Sequence, residues 1–193
     1  NKKYYYRFLG KTISSTNILD LSIANNIDTV DVAIKEDSSL EIPEKVDVIS
    51  CFGNLTEYHY YKEGLFYAKI LNGKEIRFKC LSDLSAQILS NLLLNVPIGY
   101  CLYQNSELVL HGSAIKIGTK SLAFIGESGS GKSTIAASLI QFGKIITEDV
   151  CYIEFNKFDE PKIFSMPSYL KLNAEIIEKL NLKFRNTSDI PFD

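Results

Sequence analysis

The chain has 193 residues and is 46% hydrophobic, so it can form one large domain or two small ones with a sizeable core. Its 21 basic and 23 acidic side chains leave a net charge of −2, which argues against a protein that wraps nucleic acid. The longest apolar run, 91–102, is interrupted by Asn95 and Pro97 and falls short of the roughly 20 residues of a membrane helix. We therefore expect neither a nucleic-acid nor a membrane partner.

Four cysteines are spread along the chain, and none belongs to a Cys-x-x-Cys pair. Neither zinc binding nor disulfide scaffolding is expected, and buried reduced thiols fit a cytoplasmic protein. The sequence contains no signal-peptide pattern. Because the chain begins at Asn1 rather than at Met, we also expect that a few leading residues are missing.

Residues 1–81 are expected to form a β-rich N-terminal domain. Short β-branched and aromatic runs alternate with turn residues such as Asn72-Gly73, a pattern typical of a β-meander. The predicted strands are 4–9, 29–34, 46–51, 55–61, 65–70 and 75–80.

Residues 82–104 change to a helical period. Ser82 can cap a helix, and Leu84, Ile88 and Leu92 recur on one face. Pro97 is expected to kink or restart the helix. We interpret this segment as helices that link two parts of the molecule.

Residues 105–193 have an α/β pattern. Strands are predicted at 107–117, 121–125, 144–147 and 151–155, and helices at 132–142 and from Asn173 to Leu182. Gly143 is predicted to end the first of these helices as a C-terminal cap.

The segment 126–133 has the pattern Gly-x-x-x-x-Gly-Lys-Ser, between a predicted strand and a predicted helix. Glycines permit backbone angles that other residues avoid, so the loop amides can converge on phosphate oxygens at the start of a helix. The predicted nucleotide-binding residues are Gly126, Ser128, Gly129, Ser130, Gly131, Lys132, Ser133 and Thr134. Lys132 is expected to reach the β- and γ-phosphates, and Ser133 to offer its hydroxyl to Mg²⁺. The alternative is a glycine-rich turn with a solvated lysine.

Glu148 and Asp149 lie at the edge of the strand that returns after the loop and its helix. That strand should bring both carboxylates near the phosphates, where one can bind Mg²⁺ and the other can accept a hydroxyl proton. In isolation the pair also fits an exposed acidic turn.

His111 lies on the strand that precedes the loop strand. Alternation places it on the same face as Ser113, Ile115 and Ile117. It can tune the neighbouring base or contact the acceptor, or it can be a hydrogen-bonded core histidine.

These motifs together resemble the catalytic domain of HPr serine kinase/phosphorylase. The resemblance is carried by Leu-His-Gly-Ser-Ala at 110–114, the loop at 126–134, Thr-Glu-Asp-Val at 147–150 and Pro-Ser-Tyr-Leu-Lys-Leu at 167–172. The chain looks most similar to the branch found beside ribosomally made peptide pathways, which includes lasso-peptide kinases. The start of that branch's β-rich N-terminal domain resembles residues 6–13. The fold implied is a β-rich N-terminal domain joined by helices to a P-loop, HPr-kinase/PEP-carboxykinase-like catalytic domain.

The resemblance implies transfer of the γ-phosphoryl group of ATP, with Mg²⁺, to a serine of a peptide or small protein. The family histidine matches His111, and the family's paired aspartates match Glu148 and Asp149. The first acid of the pair acts as base in the family and is glutamate here, so the division of roles between the two stays open. The phosphocarrier-specific signature is not seen, so neither HPr as substrate nor phosphorolysis is expected.

The family also continues into a substrate-facing C-terminal part, so we expect the chain to be incomplete beyond Asp193. Family analogy further suggests a homo-oligomer. Two other functions fit the loop. One is a nucleotide-binding regulatory module without catalysis, for which the glutamate of the pair is the main support. The other is a small-molecule kinase or ATPase.

Overall fold

The computed structural model of the chain describes residues 2–25, 27–44, 47, 49–127 and 129–165. Ser128 of the predicted loop, the motif at 167–172 and the predicted helix from Asn173 to Leu182 lie outside the described residues. Within them the protein is a mixed α+β structure with a β-rich N-terminal region and few helices.

The N-terminal region forms one seven-stranded sheet with the strand order β1-β2-β3-β7-β6-β5-β4. Its strands are β1 (Tyr4–Phe8), β2 (Lys11–Ser15), β3 (Val32–Glu36), β4 (Ile49–Gly53), β5 (Glu57–Lys62), β6 (Phe66–Leu71) and β7 (Glu75–Cys80). The predicted meander is confirmed for β4 to β7, which pair antiparallel in sequence order. It is wrong for β3, which inserts in parallel between β2 and β7.

Strand β2 is absent from the predicted elements. It forms a hairpin with β1, and the two residues between the strands, Leu9 and Gly10, have φ angles of 53° and 73°. Two successive positive φ angles are the signature of a tight type I′ turn, for which glycine is favoured and leucine is unusual. The unusual leucine is the reason that the turn is hard to recognise from sequence.

Two helices follow the first sheet, α1 (Ala86–Leu94) and α2 (Val96–Gln104). The restart near Pro97 is confirmed, because Pro97 occupies the first turn of α2, where its missing N–H costs no helical hydrogen bond. The predicted cap at Ser82 is wrong. Ser85 caps α1 instead, and its hydroxyl accepts a hydrogen bond from the Ile88 amide at 3.3 Å.

A second, five-stranded sheet follows the helices. Its elements are β8 (Leu108–Ile117), β9 (Lys120–Ile125), β10 (Lys144–Thr147), β11 (Val150–Phe155) and β12 (Pro161–Ile163), with α3 (Lys132–Ser138) between β9 and β10. Strand β8 is the central strand. It pairs antiparallel with β9 on one side, and on the other side it pairs antiparallel with β10 and then with β11, each along a different part of its length. Helix α3 packs against β8 and β9.

Both sheets contribute to one buried apolar cluster. Val150 and Tyr152 of the second sheet pack in the same core as α1, α2 and the inner face of the first sheet. Helix α2 contacts β5, β6 and β7 on one side and β8 and β11 on the other. Helix α2 therefore packs between the two sheets. None of the helices in the described part of the chain has the length and apolar character needed to cross a membrane.

Helix α3 is shorter than the predicted 132–142, and Gly143 is not its cap. The helix ends at Ser138, and successive turns lead to Gly143. Gly143 is required for another reason. A Cβ atom at this position would lie 2.0 Å from the carbonyl oxygen of Lys116, which belongs to the neighbouring strand β8.

We expect Gly143→Ala to destabilise the fold by about 1–3 kcal/mol, because the new methyl group would push backbone against backbone. Thermal unfolding followed by circular dichroism should show a Tm that is lower by several degrees. Gln141→Ala, at an exposed position two residues earlier, is the control. An unchanged Tm for the glycine variant would contradict this close approach.

Candidate functional site

The predicted phosphate loop joins the end of β9 to the start of α3. Gly129 and Gly131 have φ angles of 79° and 89°, in the left-handed region that favours glycine. Gly131 directly precedes the helix and occupies the N-cap position. These backbone angles explain why two of the three motif positions are occupied by glycine. Gly126, Gly129 and Ser130 are exposed, and Lys132, Ser133 and Thr134 are half-buried.

Lys132 folds back over its own loop. Its ammonium group donates hydrogen bonds to the carbonyl oxygens of Gly126, at 2.9 Å, and of Glu127, at 2.7 Å. Hydrogen bonds from a charged donor are stronger than neutral ones, so they keep the lysine at the mouth of the loop. The same ammonium group is available to a phosphate, because a lysine offers three donors and two are used here.

Ser133 lies directly above strand β8. Its hydroxyl oxygen is 3.4 Å from the hydroxyl oxygen of Ser113, which is almost completely buried. This contact links the first turn of α3 to the middle of β8. Ser113 was predicted only as a neighbour of His111 on one strand face, and its link to the loop depends on how α3 packs.

Glu148 and Asp149 form the turn between two stretches of chain that pair with β8. Ala114 of β8 pairs with Thr147, and His111 pairs with Val150. Glu148 is only 2% exposed. The turn therefore places a buried carboxylate between β10 and β11, alongside β8.

Asp149 occupies a strained turn between β10 and β11. Its φ angle is 68°, and the Val150 amide donates to the Glu148 carbonyl oxygen at 2.9 Å, which is the hydrogen bond of a γ-turn. The form with positive φ is rare and strained, and such strain clusters at functional sites. The Asp149 carbonyl oxygen accepts hydrogen bonds from the Gly112 amide at 3.2 Å and from Nδ1 of His111 at 2.9 Å.

The hydrogen bond from His111 defines its tautomer. A carbonyl oxygen only accepts, so Nδ1 of His111 carries a proton, and in the neutral ring the lone pair is on Nε2. The side chain is exposed, unlike that of a buried core histidine. The structure thus brings His111 and the acidic pair together through the backbone of Asp149.

Tyr60, in strand β5, is a buried core residue that was not predicted as a site residue. Burial raises the pKa of Tyr60 to about 12, and the negative charges of Cys51 and Asp149 add to this effect. Sequence reasoning could not predict an influence of Asp149 on Tyr60, because it depends on the packing of α2 between the sheets.

The side chains near the loop fit a magnesium ion that is bound mainly by a nucleotide. Mg²⁺ prefers oxygen ligands and takes one or two from the protein, with the rest from water and phosphate. Ser133 offers a hydroxyl oxygen in the first turn of α3, and Glu148 offers a carboxylate in the turn between β10 and β11. Among the described residues there is no group of three or more His, Cys, Asp or Glu side chains that could hold a metal without such a ligand.

The chain matches no protein-family model, no curated protein and no solved structure.

Proposed function

We propose that the protein transfers the γ-phosphoryl group of ATP to a serine hydroxyl of a peptide or small protein. The observation that carries this proposal is that one strand, β8, contacts both parts of the site: Ser113 meets the Ser133 hydroxyl at the start of α3, and His111 bonds to the backbone of the acidic turn. A phosphate loop alone supports only triphosphate binding. A loop with two carboxylates and a histidine next to it supplies the groups that phosphoryl transfer needs. On this proposal the second sheet and α3 form the core of a P-loop catalytic domain.

The geometry supports different roles for the two acids, which the sequence left open. Glu148 is buried in the turn, so we assign it, with Ser133, to the magnesium ion. Bound Mg²⁺ would neutralise charge on the β- and γ-phosphates. Asp149 is half-buried rather than buried, and its backbone is hydrogen-bonded to the exposed His111, so we assign it as the base.

The reaction then balances in one step. The serine oxygen of the acceptor forms a bond to the γ-phosphorus, the bond from this phosphorus to the β,γ-bridging oxygen breaks, and ADP leaves. The proton of the serine hydroxyl moves to the carboxylate of Asp149. Lys132 stabilises the negative charge on the phosphates as it is redistributed. His111 holds the backbone of Asp149 in place through its Nδ1 hydrogen bond.

The test is an assay with ATP labelled at the γ-phosphate, Mg²⁺ and a panel of serine-containing peptides. We expect label on peptide serine, and none on matched peptides in which that serine is alanine. Free serine and small hydroxyl compounds serve as competing acceptors. Label found only in free phosphate, or only on small molecules, would contradict the proposal and favour an ATPase or a small-molecule kinase. Tight ATP binding without turnover would favour a regulatory module.

A further inference from the structure

The first sheet has two outer strands, and their edges differ. The outer edge of β1 is covered by the chain itself: Tyr6 forms an antiparallel bridge with Ile23, and the Tyr5 carbonyl oxygen accepts a hydrogen bond from the Ala24 amide at 2.8 Å. Strand β4 is the outer strand at the other end of the sheet. Among the residues that the structure describes, no strand or bridge pairs with its outer side. Strand β4 is therefore the open edge of the sheet.

The open edge lacks features with which proteins usually protect an outer strand. Charged side chains and proline are common on such strands, because they prevent pairing with a further strand. The residues of β4 are Ile-Ser-Cys-Phe-Gly, which include neither a charge nor a proline. The sequence of β4 therefore permits another strand to pair with it.

The hydrogen bonds between β4 and β5 show which backbone groups of β4 are unused. The Asn54 amide donates to the Glu57 carbonyl oxygen at 2.7 Å, so these two residues are a hydrogen-bonded pair in the register of the two strands. In an antiparallel ladder such pairs alternate with pairs that exchange no hydrogen bond. Phe52 therefore bonds to β5, whereas the backbone N–H and C=O groups of Cys51 and Gly53 point to the open side.

The other side of β5 agrees with this assignment. The Asn72 amide donates to the Thr56 carbonyl oxygen at 2.8 Å, in register with the pairing of β5 and β6. Successive residues of a strand that is paired on both sides bond to opposite neighbours. Thr56 and every second residue after it therefore bond to β6, which leaves Glu57, His59 and Tyr61 to bond to β4.

The open edge also offers apolar contacts. Phe52 stacks on His59 of β5 with the ring centroids 4.7 Å apart, and it remains 38% exposed. Leu55, in the turn that follows β4, is 62% exposed. Directly opposed residues on neighbouring strands have Cβ atoms roughly 5 Å apart, so an apolar residue of an added strand would contact the Phe52 ring.

We propose that the open edge of β4 binds an extended segment of the acceptor polypeptide as a further strand of the first sheet. The alternating donors and acceptors of the edge match the repeat of a polypeptide main chain, and the exposed Phe52 favours an apolar residue opposite it. The inference rests on the proposed kinase function for the identity of the polypeptide, and it adds a binding site outside the catalytic groups.

The length of β4 favours a peptide over a second copy of the chain. Its 5 residues span roughly 17 Å. Pairing over this length buries much less than the roughly 1,200–2,000 Å² of a stable protein–protein interface. A short extended peptide needs no larger surface, because main-chain hydrogen bonds provide much of its affinity.

The first test is Cys51→Pro. Proline is tolerated in an outer strand where the N–H points away from the sheet, so this change removes an outward donor and breaks no bond to β5. The probe is a short fluorescein-labelled peptide of alternating valine and threonine with a lysine at each end, and its binding is followed by fluorescence anisotropy without ATP. We expect the affinity to fall about tenfold or more in Cys51→Pro and to be unchanged in the control Cys51→Ser. Both variants should keep a Tm within a few degrees of wild type.

The second test changes the peptide, so it does not depend on the folding of a variant. Along an added strand, the N–H groups of alternate residues point toward β4 and away from it. Two peptides are compared, each N-methylated at every second residue, one in each of the two phases. We expect one phase to abolish binding and the other to bind within about twofold of the unmethylated peptide.

Phase-dependent loss of binding, together with weaker binding to Cys51→Pro, supports the inference. Failure of the wild type to bind the probe, equal binding by Cys51→Pro, or equal effects of both methylation phases overturns it. A wild-type dimer that Cys51→Pro converts to a monomer in analytical ultracentrifugation also overturns it, because the occupant is then a second copy.

The same variant distinguishes this inference from the proposed function. Label transfer to peptide serine with the peptide KM unchanged in Cys51→Pro overturns the inference and leaves the proposed function intact. Phase-dependent binding at the edge without label on any peptide supports a polypeptide-binding edge and contradicts the proposed kinase function.

Discussion

Lys132→Met is expected to lower phosphoryl transfer by about 100- to 1000-fold, the loss typical when one preorganised group that stabilises transition-state charge is removed. Lys132 is held at the mouth of the loop by the carbonyl oxygens of Gly126 and Glu127. Methionine keeps the length of the side chain and removes its charge. The measurement is the initial rate of label transfer from ATP to the peptide, at saturating Mg²⁺.

A measurement of thermal stability distinguishes the loss of this catalytic charge from unfolding of the variant. The hydrogen bonds of Lys132 are exposed, so the Tm of the variant should stay within a few degrees of wild type. Lys144→Met, at an exposed position on β10, is the matched control and should retain full activity. Wild-type activity in the Lys132 variant would exclude the loop from catalysis.

Asp149→Asn is expected to lower kcat by about 100- to 10,000-fold, the usual contribution of a general base, without weakening ATP binding. The substitution is well matched to the backbone, because asparagine tolerates the positive φ angle of 68° that this turn imposes. The matched control is Asp159→Asn, in the exposed β11–β12 turn. Asp159 has a similar φ angle of 58°, and its variant should be fully active.

Glu148→Gln should behave differently from Asp149→Asn. Because we assign Glu148 to the magnesium ion, we expect its loss to raise the Mg²⁺ concentration needed for half-maximal rate by about tenfold, with activity partly restored by excess metal. Measuring the rate of label transfer of both variants as a function of Mg²⁺ concentration and of pH separates the metal-binding role from the role of the base. If excess Mg²⁺ restores the Asp149 variant and not the Glu148 variant, the two assignments are reversed.

Much of the fold was predictable because its elements have strong local signals. The strands of the β4–β7 meander show β-branched and aromatic runs between clear turns, and the loop at 126–133 has glycines where the backbone needs left-handed angles. Helix α3 was predicted too long, since apolar residues continue to Phe142 although its side chain is 60% exposed. The parallel insertion of β3 was not predictable from local pattern, because the hydrophobic periodicity of a strand does not indicate which distant strand it pairs with.

The sequence by itself determined that the chain carries a Gly-x-x-x-x-Gly-Lys-Ser motif after a strand and before a helix, with a histidine ahead of it and an acidic pair behind. These features depend on residue type and local spacing, which a sequence states directly. Only the tertiary structure decided which groups meet: Ser113 with Ser133, and the ring of His111 with the Asp149 backbone. The physical reason is that strand register and the packing of α2 between two sheets are set by the whole core, and a shift of one residue in either would separate these side chains.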